Sequence, residues 1–216
     1  AGWLTAASAL ARNNGGPGPN LIYLCEPEFS VEGFLRDVKK ELESHDSVLV
    51  AISEGIKDAN GVYVSEQVQS GAVDTFGHSY IAGSARVLED AVRTEIGCKV
   101  RSIELNLMQR CASHIASAVD IQESRMLGMT ACQMALEGKS GLMAAVERVS
   151  DAPYEVRFVG VPVSQVSNQE KKVPRDFINE AGNDVTEKMM AYLNPLIQGE
   201  APVIYENGIP KHVSLY

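Results

Sequence analysis

Val48-Leu49-Val50-Ala51-Ile52-Ser53-Glu54-Gly55 is the stretch on which the fold turns. Five consecutive apolar residues, three of them β-branched, leave no polar face. A strand of that kind is expected to be buried on both sides, as in a parallel sheet covered by helices. Upstream, Leu21–Leu24 reads as another short apolar strand. Between the two, Ser30 is placed to cap a helix in which Val31, Phe34, Leu35, Val38 and Leu42 recur at helical spacing. Downstream comes a polar, glycine-containing stretch from Glu54 to Ser79, with a short strand expected at Val62–Val64. Val87, Leu88, Ala91, Val92 and Ile96 then mark a helix that Gly97 stops, and Val100–Leu105 reads as strand. This alternation predicts an α/β fold with a mainly parallel sheet flanked by helices.

Towards the start, an alanine-rich helix is expected to end in the loop Asn13–Asn20. In the second half, Asp120 and Glu123 form a capping box for a longer helix with Ile121, Gly128, Cys132 and Ala135 on one side, closed by Gly138. Tyr154, Val156 and Phe158 alternate with Glu155 and Arg157 as in a half-exposed strand. Leu142–Val149 fits either a hairpin partner for it or a helix. Asp184 and Glu187 form a second capping box, ahead of Val185, Met189 and Leu193, and Asn194-Pro195 closes that helix. The proline- and glycine-rich tail, Gly199–Tyr216, is expected to wrap the surface. There is no internal repeat and no flexible linker.

Composition excludes several classes. With 45% hydrophobic residues among 216, the chain can bury a substantial core. A net charge of −9 argues against a nucleic-acid partner, which needs a basic stripe. No apolar run approaches the ~18 residues of a membrane span. The stretch Gly2–Ala11 lacks the basic start of a signal peptide. Cys25, Cys98, Cys111 and Cys132 lie far apart without a CxxC pair. That spacing predicts reduced thiols in a cytoplasmic protein, most of them buried, and no structural zinc.

Ligands of open α/β sheets bind beyond the carboxyl ends of the strands. Ser53-Glu54-Gly55 and Asn106-Leu107-Met108-Gln109-Arg110 both fall there. A carboxylate accepts from sugar hydroxyls and a guanidinium matches phosphate, so the two groups outline a sugar-phosphate site. The same residues also fit a solvated loop with an ion pair. Gly15-Gly16-Pro17-Gly18 lacks the Lys-Ser/Thr of a phosphate loop, and His78 and His114 lack a third ligand at metal spacing. Ser113 and His114 are adjacent, without a supporting acid, and His114 reads as a core or interface residue. Met126, Met129 and Met134 read as core filler. A nicotinamide-binding GxGxxG is missing.

The residues around Glu54 and Arg110 resemble the phosphofructokinase family, and the likeness runs through nearly the whole chain. Gly2-Trp3-Leu4 resembles the stretch just behind that family's Met-Gly-Arg motif, and Cys25-Glu26-Pro27-Glu28-Phe29 the turn that follows. Ala51-Ile52-Ser53-Glu54-Gly55 is similar to the element whose glutamate binds fructose 6-phosphate. The segment from Arg101 to Arg110 is similar to the one supplying two phosphate-binding arginines. Phe76-Gly77-His78, Glu170-Lys171-Lys172-Val173-Pro174, the Tyr192–Gly199 segment and Gly208-Ile209-Pro210 resemble the pyrophosphate-dependent branch. Where the family has Gly-His or Gly-Tyr, this chain has Asn106-Leu107.

The resemblance implies substrate-binding roles for Glu54, Arg101 and Arg110, with Arg110 serving its own subunit and Arg101 reaching into a neighbour's site. The partners implied are fructose 6-phosphate, pyrophosphate or ATP, and further copies of the chain in a homo-oligomer. It also implies that residues 1–216 form the C-terminal, sugar-phosphate-binding portion. The phosphoryl-donor loop, the acids that bind Mg²⁺ and the catalytic base would then lie upstream of residue 1, and the chain alone would be inactive. An ATP-dependent enzyme or a non-catalytic sugar-phosphate-binding regulatory subunit are the alternatives.

Overall fold

The computed structural model describes residues 1–68 and 83–211; Phe76-Gly77-His78, the end of the polar stretch at Ser79 and the last tail residues to Tyr216 lie outside the described residues. Two compact units emerge. One comprises Ala1–Glu104 with Lys171–Met190, the other Leu105–Glu170 with Ala191–Tyr216.

In the first unit, α1 (Trp3–Ala7) runs on as a 3-10 segment to Gly15 before β1 (Leu21–Tyr23), α2 (Val31–Glu41), β2 (Val50–Ile52) and α3 (Ser84–Glu95). β1 and β2 pair in parallel with Ile22 opposite Ala51, and Ser53 N–H donates to Tyr23 O just past the ladder. Ser30 caps α2 as its position predicts, its hydroxyl accepting from Gly33 N–H at 3.1 Å. Gly97, at φ +77°, follows α3 in the left-handed region that glycine adopts without steric cost. Leu21 and Tyr23 pack with Phe34 and Val38 of α2 and Leu88 and Val92 of α3 into one core. Tyr23 meets Phe29 and Phe34 edge-on, with ring centroids 5.3 and 5.7 Å apart.

The strand predicted to be buried on both faces is only partly buried. Val48, Val50 and Ile52 face the core, whereas Leu49 is 57% exposed. β1 is the strand buried throughout. Among the described residues the parallel sheet has only these two strands, because Val100–Leu105 forms no ladder. Its Ser102 N–H and Oγ–H instead donate to the Glu89 carboxylate of α3, at 2.9 and 2.5 Å. A side chain thus takes the place of a strand partner. At Val62–Val64, Tyr63 makes a single bridge to Lys57 and Val64 opens a 3-10 turn.

The second unit holds α4 (Ala118–Leu136), a hairpin of β3 (Leu142–Asp151) and β4 (Tyr154–Pro162), and the one-turn α5 (Val163–Val166). The hairpin resolves the ambiguity at Leu142–Val149 in favour of strand, with Val146 opposite Phe158 and Glu147 opposite Arg157. Strand β4 approaches α4 closely at Gly160, where an added Cβ would lie 2.7 Å from Met134 Sδ. The expected capping box at Asp120–Glu123 does not form. Ser117 Oγ accepts from Asp120 N–H, and Glu123 accepts from Tyr154 Oη at 2.6 Å. Partial burial first, and Glu123 second, push the Tyr154 phenol up to about 12.

The second predicted capping box fails for a similar reason. Asp184 is engaged by the Arg12 guanidinium at 2.9 Å from both of its oxygens, and α6 (Glu187–Leu193) starts without it. The helix ends at Leu193, just before Asn194-Pro195 as expected, and the chain continues as a 3-10 segment, Asn194–Ile197. In the tail, β5 (Tyr205–Glu206) and β6 (Ile209–Pro210) pair across Asn207-Gly208, both with positive φ. All four cysteines are free thiols, as expected, but none is fully buried, and Cys111 and Cys132 are exposed. His114 is exposed rather than core, and of the three α4 methionines only Met134 is buried. No described helix is long and apolar enough to cross a membrane.

Candidate functional site

Glu54 sits two residues beyond the ladder end at Ile52, and the intervening Ser53 is fixed on two sides. Ser53 N–H donates to Tyr23 O at 2.8 Å, and its buried Oγ–H donates to Thr5 Oγ1 at 2.9 Å. The Glu54 carbonyl accepts from Ser84 Oγ at 2.8 Å, which fastens the turn to the start of α3. The backbone of Glu54 is therefore held on both sides while its side chain stays exposed. Gly55 is not what permits this turn. Its φ is outside the left-handed region, and an added Cβ would make only ordinary 3.8 Å contacts with Cys25 and Tyr63.

Partial desolvation, and then the charge of Glu104, hold the Glu54 carboxyl above the usual glutamate range. Glu104 itself accepts from Gly83 N–H at 3.1 Å, at the N-terminus of α3. The native state binds the Glu54 proton more tightly than the unfolded chain does. Its stabilising effect is therefore complete below the ordinary glutamate pKa and is lost as pH rises through the raised one. Glu104→Gln is expected to bring the Glu54 pKa part of the way down, leaving the desolvation share, in a carbon-detected NMR titration. An unmoved pKa would show that Glu104 does not act on it.

Arg101 lies exposed in the same unit, one residue before Ser102, so the Glu89 carboxylate that grips Ser102 also sets the position of Arg101. Glu89 is pulled below the usual carboxylate range, first by the Ser102 hydroxyl, then by the Ser102 amide and by Arg93. Among the described residues Arg101 has no ion pair, with Glu104, Glu95 or any other acid.

Arg110 belongs to the second unit. It closes a turn in which Met108 N–H donates to Leu105 O at 2.8 Å and Arg110 N–H to Leu107 O at 3.0 Å. Asn106 opens that turn at φ +42°, a conformation Asn tolerates better than other residues with a side chain. That accounts for an asparagine where the related motif carries glycine. Leu107 is 66% exposed, and Arg110 is exposed with no ion pair among the described residues.

Glu54 and Arg101 thus share one unit and Arg110 lies in the other. Glu89 and Glu104 were not foreseen as participants. Glu89 stands at ordinary helical spacing from Arg93, and nothing in the sequence ties it to Ser102. Among the described residues no group of three or more His, Cys, Asp or Glu side chains could hold a metal ion. The described residues do not fit a Mg²⁺ site.

Residues 1–135 match the sequence model of the family described as Phosphofructokinase. The chain belongs to the phosphofructokinase family. A protein of Xanthomonas campestris named pyrophosphate–fructose 6-phosphate 1-phosphotransferase is 41% identical over 216 residues, covering 100% of this chain and 51% of that protein. One of the same name from Methylococcus capsulatus is 38% identical, over 100% of this chain and 50% of that protein. The crystal structure of the pyrophosphate-dependent phosphofructokinase of Nitrosospira multiformis superposes with a TM-score of 0.80 at 31% identity, over 99% of this chain and 49% of that one. This phosphofructokinase chain spans about half the length of the curated relatives it matches.

Proposed function

We propose that this chain is the sugar-phosphate-binding portion of a phosphotransferase that moves a phosphoryl group from pyrophosphate to O1 of fructose 6-phosphate. The observation that carries the reading is Glu54, an exposed carboxylate whose backbone is fixed by Ser53 and Ser84 at the carboxyl end of a parallel strand. Ionised, it accepts from sugar hydroxyls. Arg101 and Arg110 offer forked donors to the 6-phosphate. Arg101 would serve the site of a neighbouring copy, which makes a homo-oligomer the working form. Pyrophosphate is preferred to ATP as donor because two relatives that match the chain over its full length carry pyrophosphate in their names.

The donor and Mg²⁺ are assigned to polypeptide outside these residues. What this chain supplies is positioning and charge complementarity, which make up most of the catalysis in phosphoryl transfer. A chimera in which this chain replaces its matched half of the Xanthomonas campestris relative should form fructose 1,6-bisphosphate from pyrophosphate and fructose 6-phosphate. A folded chimera that binds pyrophosphate but not fructose 6-phosphate would remove the reading.

Leu107 allows a further check. Its side chain is exposed, so a polar replacement costs no core packing. In the chimera, Leu107→His should leave fructose 6-phosphate affinity equal or up to about tenfold tighter, as one added hydrogen bond to a charged group allows. A large loss of affinity would show that the leucine packs against polypeptide this chain lacks.

A further inference from the structure

Glu26 and Glu54 stand at the same end of the parallel pair. Glu54 is two residues beyond β2, Glu26 three beyond β1, and the two strands run side by side in one direction. Ligands of such sheets meet that end. The two carboxylates are engaged differently. That of Glu54 is exposed, whereas Oε1 of the half-buried Glu26 accepts both Gly2 N–H and Val173 N–H, each at 2.9 Å. Gly2 is buried and Val173 is 4% exposed, so water offers these two amides no alternative acceptor. The approach is tight: a Cβ added at Gly2 would lie 2.6 Å from Glu26 Oε2 and 2.8 Å from Leu24 Cβ. Glycine is required there for closeness rather than for its φ, which is −76°.

Helix α1 starts at the next residue and crosses to the end of β2. Gly2 O accepts from Ala6 N–H at 2.8 Å in its first turn, and Thr5 Oγ1 accepts from Ser53 Oγ–H at 2.9 Å, directly before Glu54. Trp3 adds an outer tie, its Nε1–H donating to Lys171 O at 2.7 Å, two residues before Val173. Five α-helical residues that run on into 3-10 turns have little stability of their own, so these ties fix where α1 lies. A continuous path therefore leads from the Glu26 carboxylate through Gly2 and Thr5 to Ser53 and the Glu54 turn. Taking the sugar-phosphate reading of Glu54 as the basis, we infer that Glu26 is a positioning residue for the Glu54 contact to the sugar, acting through α1 and the Thr5–Ser53 hydrogen bond. A displacement of about 1 Å at such a contact is enough to cost substantial affinity or rate.

The test is a double-mutant cycle on fructose 6-phosphate affinity in the chimera with the Xanthomonas campestris relative, read by titration calorimetry. Glu26→Ala leaves two buried amides without an acceptor and should weaken binding at least about tenfold. Glu26→Gln, whose carboxamide oxygen can still accept from both, should stay within about threefold of the parent. In a Glu54→Ala background there is no carboxylate to place, and Glu26→Ala should then cost less than about twofold. An equal loss in both backgrounds would make Glu26 a merely structural residue and overturn the inference, as would an undiminished affinity in Glu26→Ala. If Glu26→Ala does not fold, Thr5→Val carries the cycle, because valine keeps the shape and removes the acceptor of Ser53. A loss confined to the background with Glu54 upholds the inference; an equal loss in both, or none, refutes it. A Glu54→Ala variant that binds as tightly as the parent would instead remove the sugar-phosphate reading of Glu54, and the positioning role with it.

Discussion

Glu54→Gln in the chimera is expected to raise the dissociation constant for fructose 6-phosphate about 10- to 100-fold while leaving the melting temperature unchanged. The affinity loss is that of a hydrogen bond to a charged acceptor, about 1.5–3 kcal/mol. The fold should not notice, because the structural bond at this position is made by the Glu54 carbonyl, which glutamine keeps. Binding should also weaken with falling pH earlier than an ordinary glutamate would dictate, since the Glu54 carboxyl is held above its usual range. A variant that matches the parent in affinity would make Glu54 a solvated surface acid. One that melts much lower would make it a structural residue.

The second large effect concerns the arginines. Arg101→Ala and Arg110→Ala should each cost about 1.5–3 kcal/mol in sugar-phosphate binding, because each removes a charge-assisted contact to the phosphate. Both side chains are exposed and without an ion pair among the described residues, so neither change should lower stability by more than about 0.5 kcal/mol. If the arginines of one site come from two subunits, hybrids of the two variants contain some sites with both arginines intact. Mixing them should restore a fraction of the lost activity. Hybrids verified by mass that restore nothing would rule out the shared site, leaving both arginines of each subunit to its own site or to none.

Much of the fold was legible because local rules decided it. Ser30 caps α2, Gly97 follows α3, and the alternation at Tyr154–Phe158 is β4. Long-range competition decided the failures. Asp184 goes to Arg12, 172 residues away, and Glu123 goes to Tyr154, so neither caps its helix. Val100–Leu105 has strand-like composition but finds a carboxylate at Glu89 instead of a backbone partner. Leu49 looks buried in sequence because composition cannot say which face of a strand another layer covers.

The candidate site was legible unevenly. The place of Glu54 after a parallel strand followed from the apolar run before it. The reason for that place did not, since Thr5 and Ser84 hold the turn and Gly55 is not required. Asn106 at the position of a glycine looked like a departure from the related motif. Its positive φ shows that the backbone there is one that glycine and asparagine both accept. Glu89 and Glu104 carry no sequence signal, because their significance lies in which elements α3 and the Arg101 segment bring together.

The central claim, that these residues bind a phosphorylated sugar, is tested most directly by titration calorimetry of the chimera with fructose 6-phosphate and with fructose. Two arginine contacts to the phosphate should make fructose 6-phosphate bind at least about 100-fold more tightly than fructose, with the difference shrinking in Arg110→Ala. Equal affinity for the two sugars, or no heat from fructose 6-phosphate in a folded chimera, would contradict it.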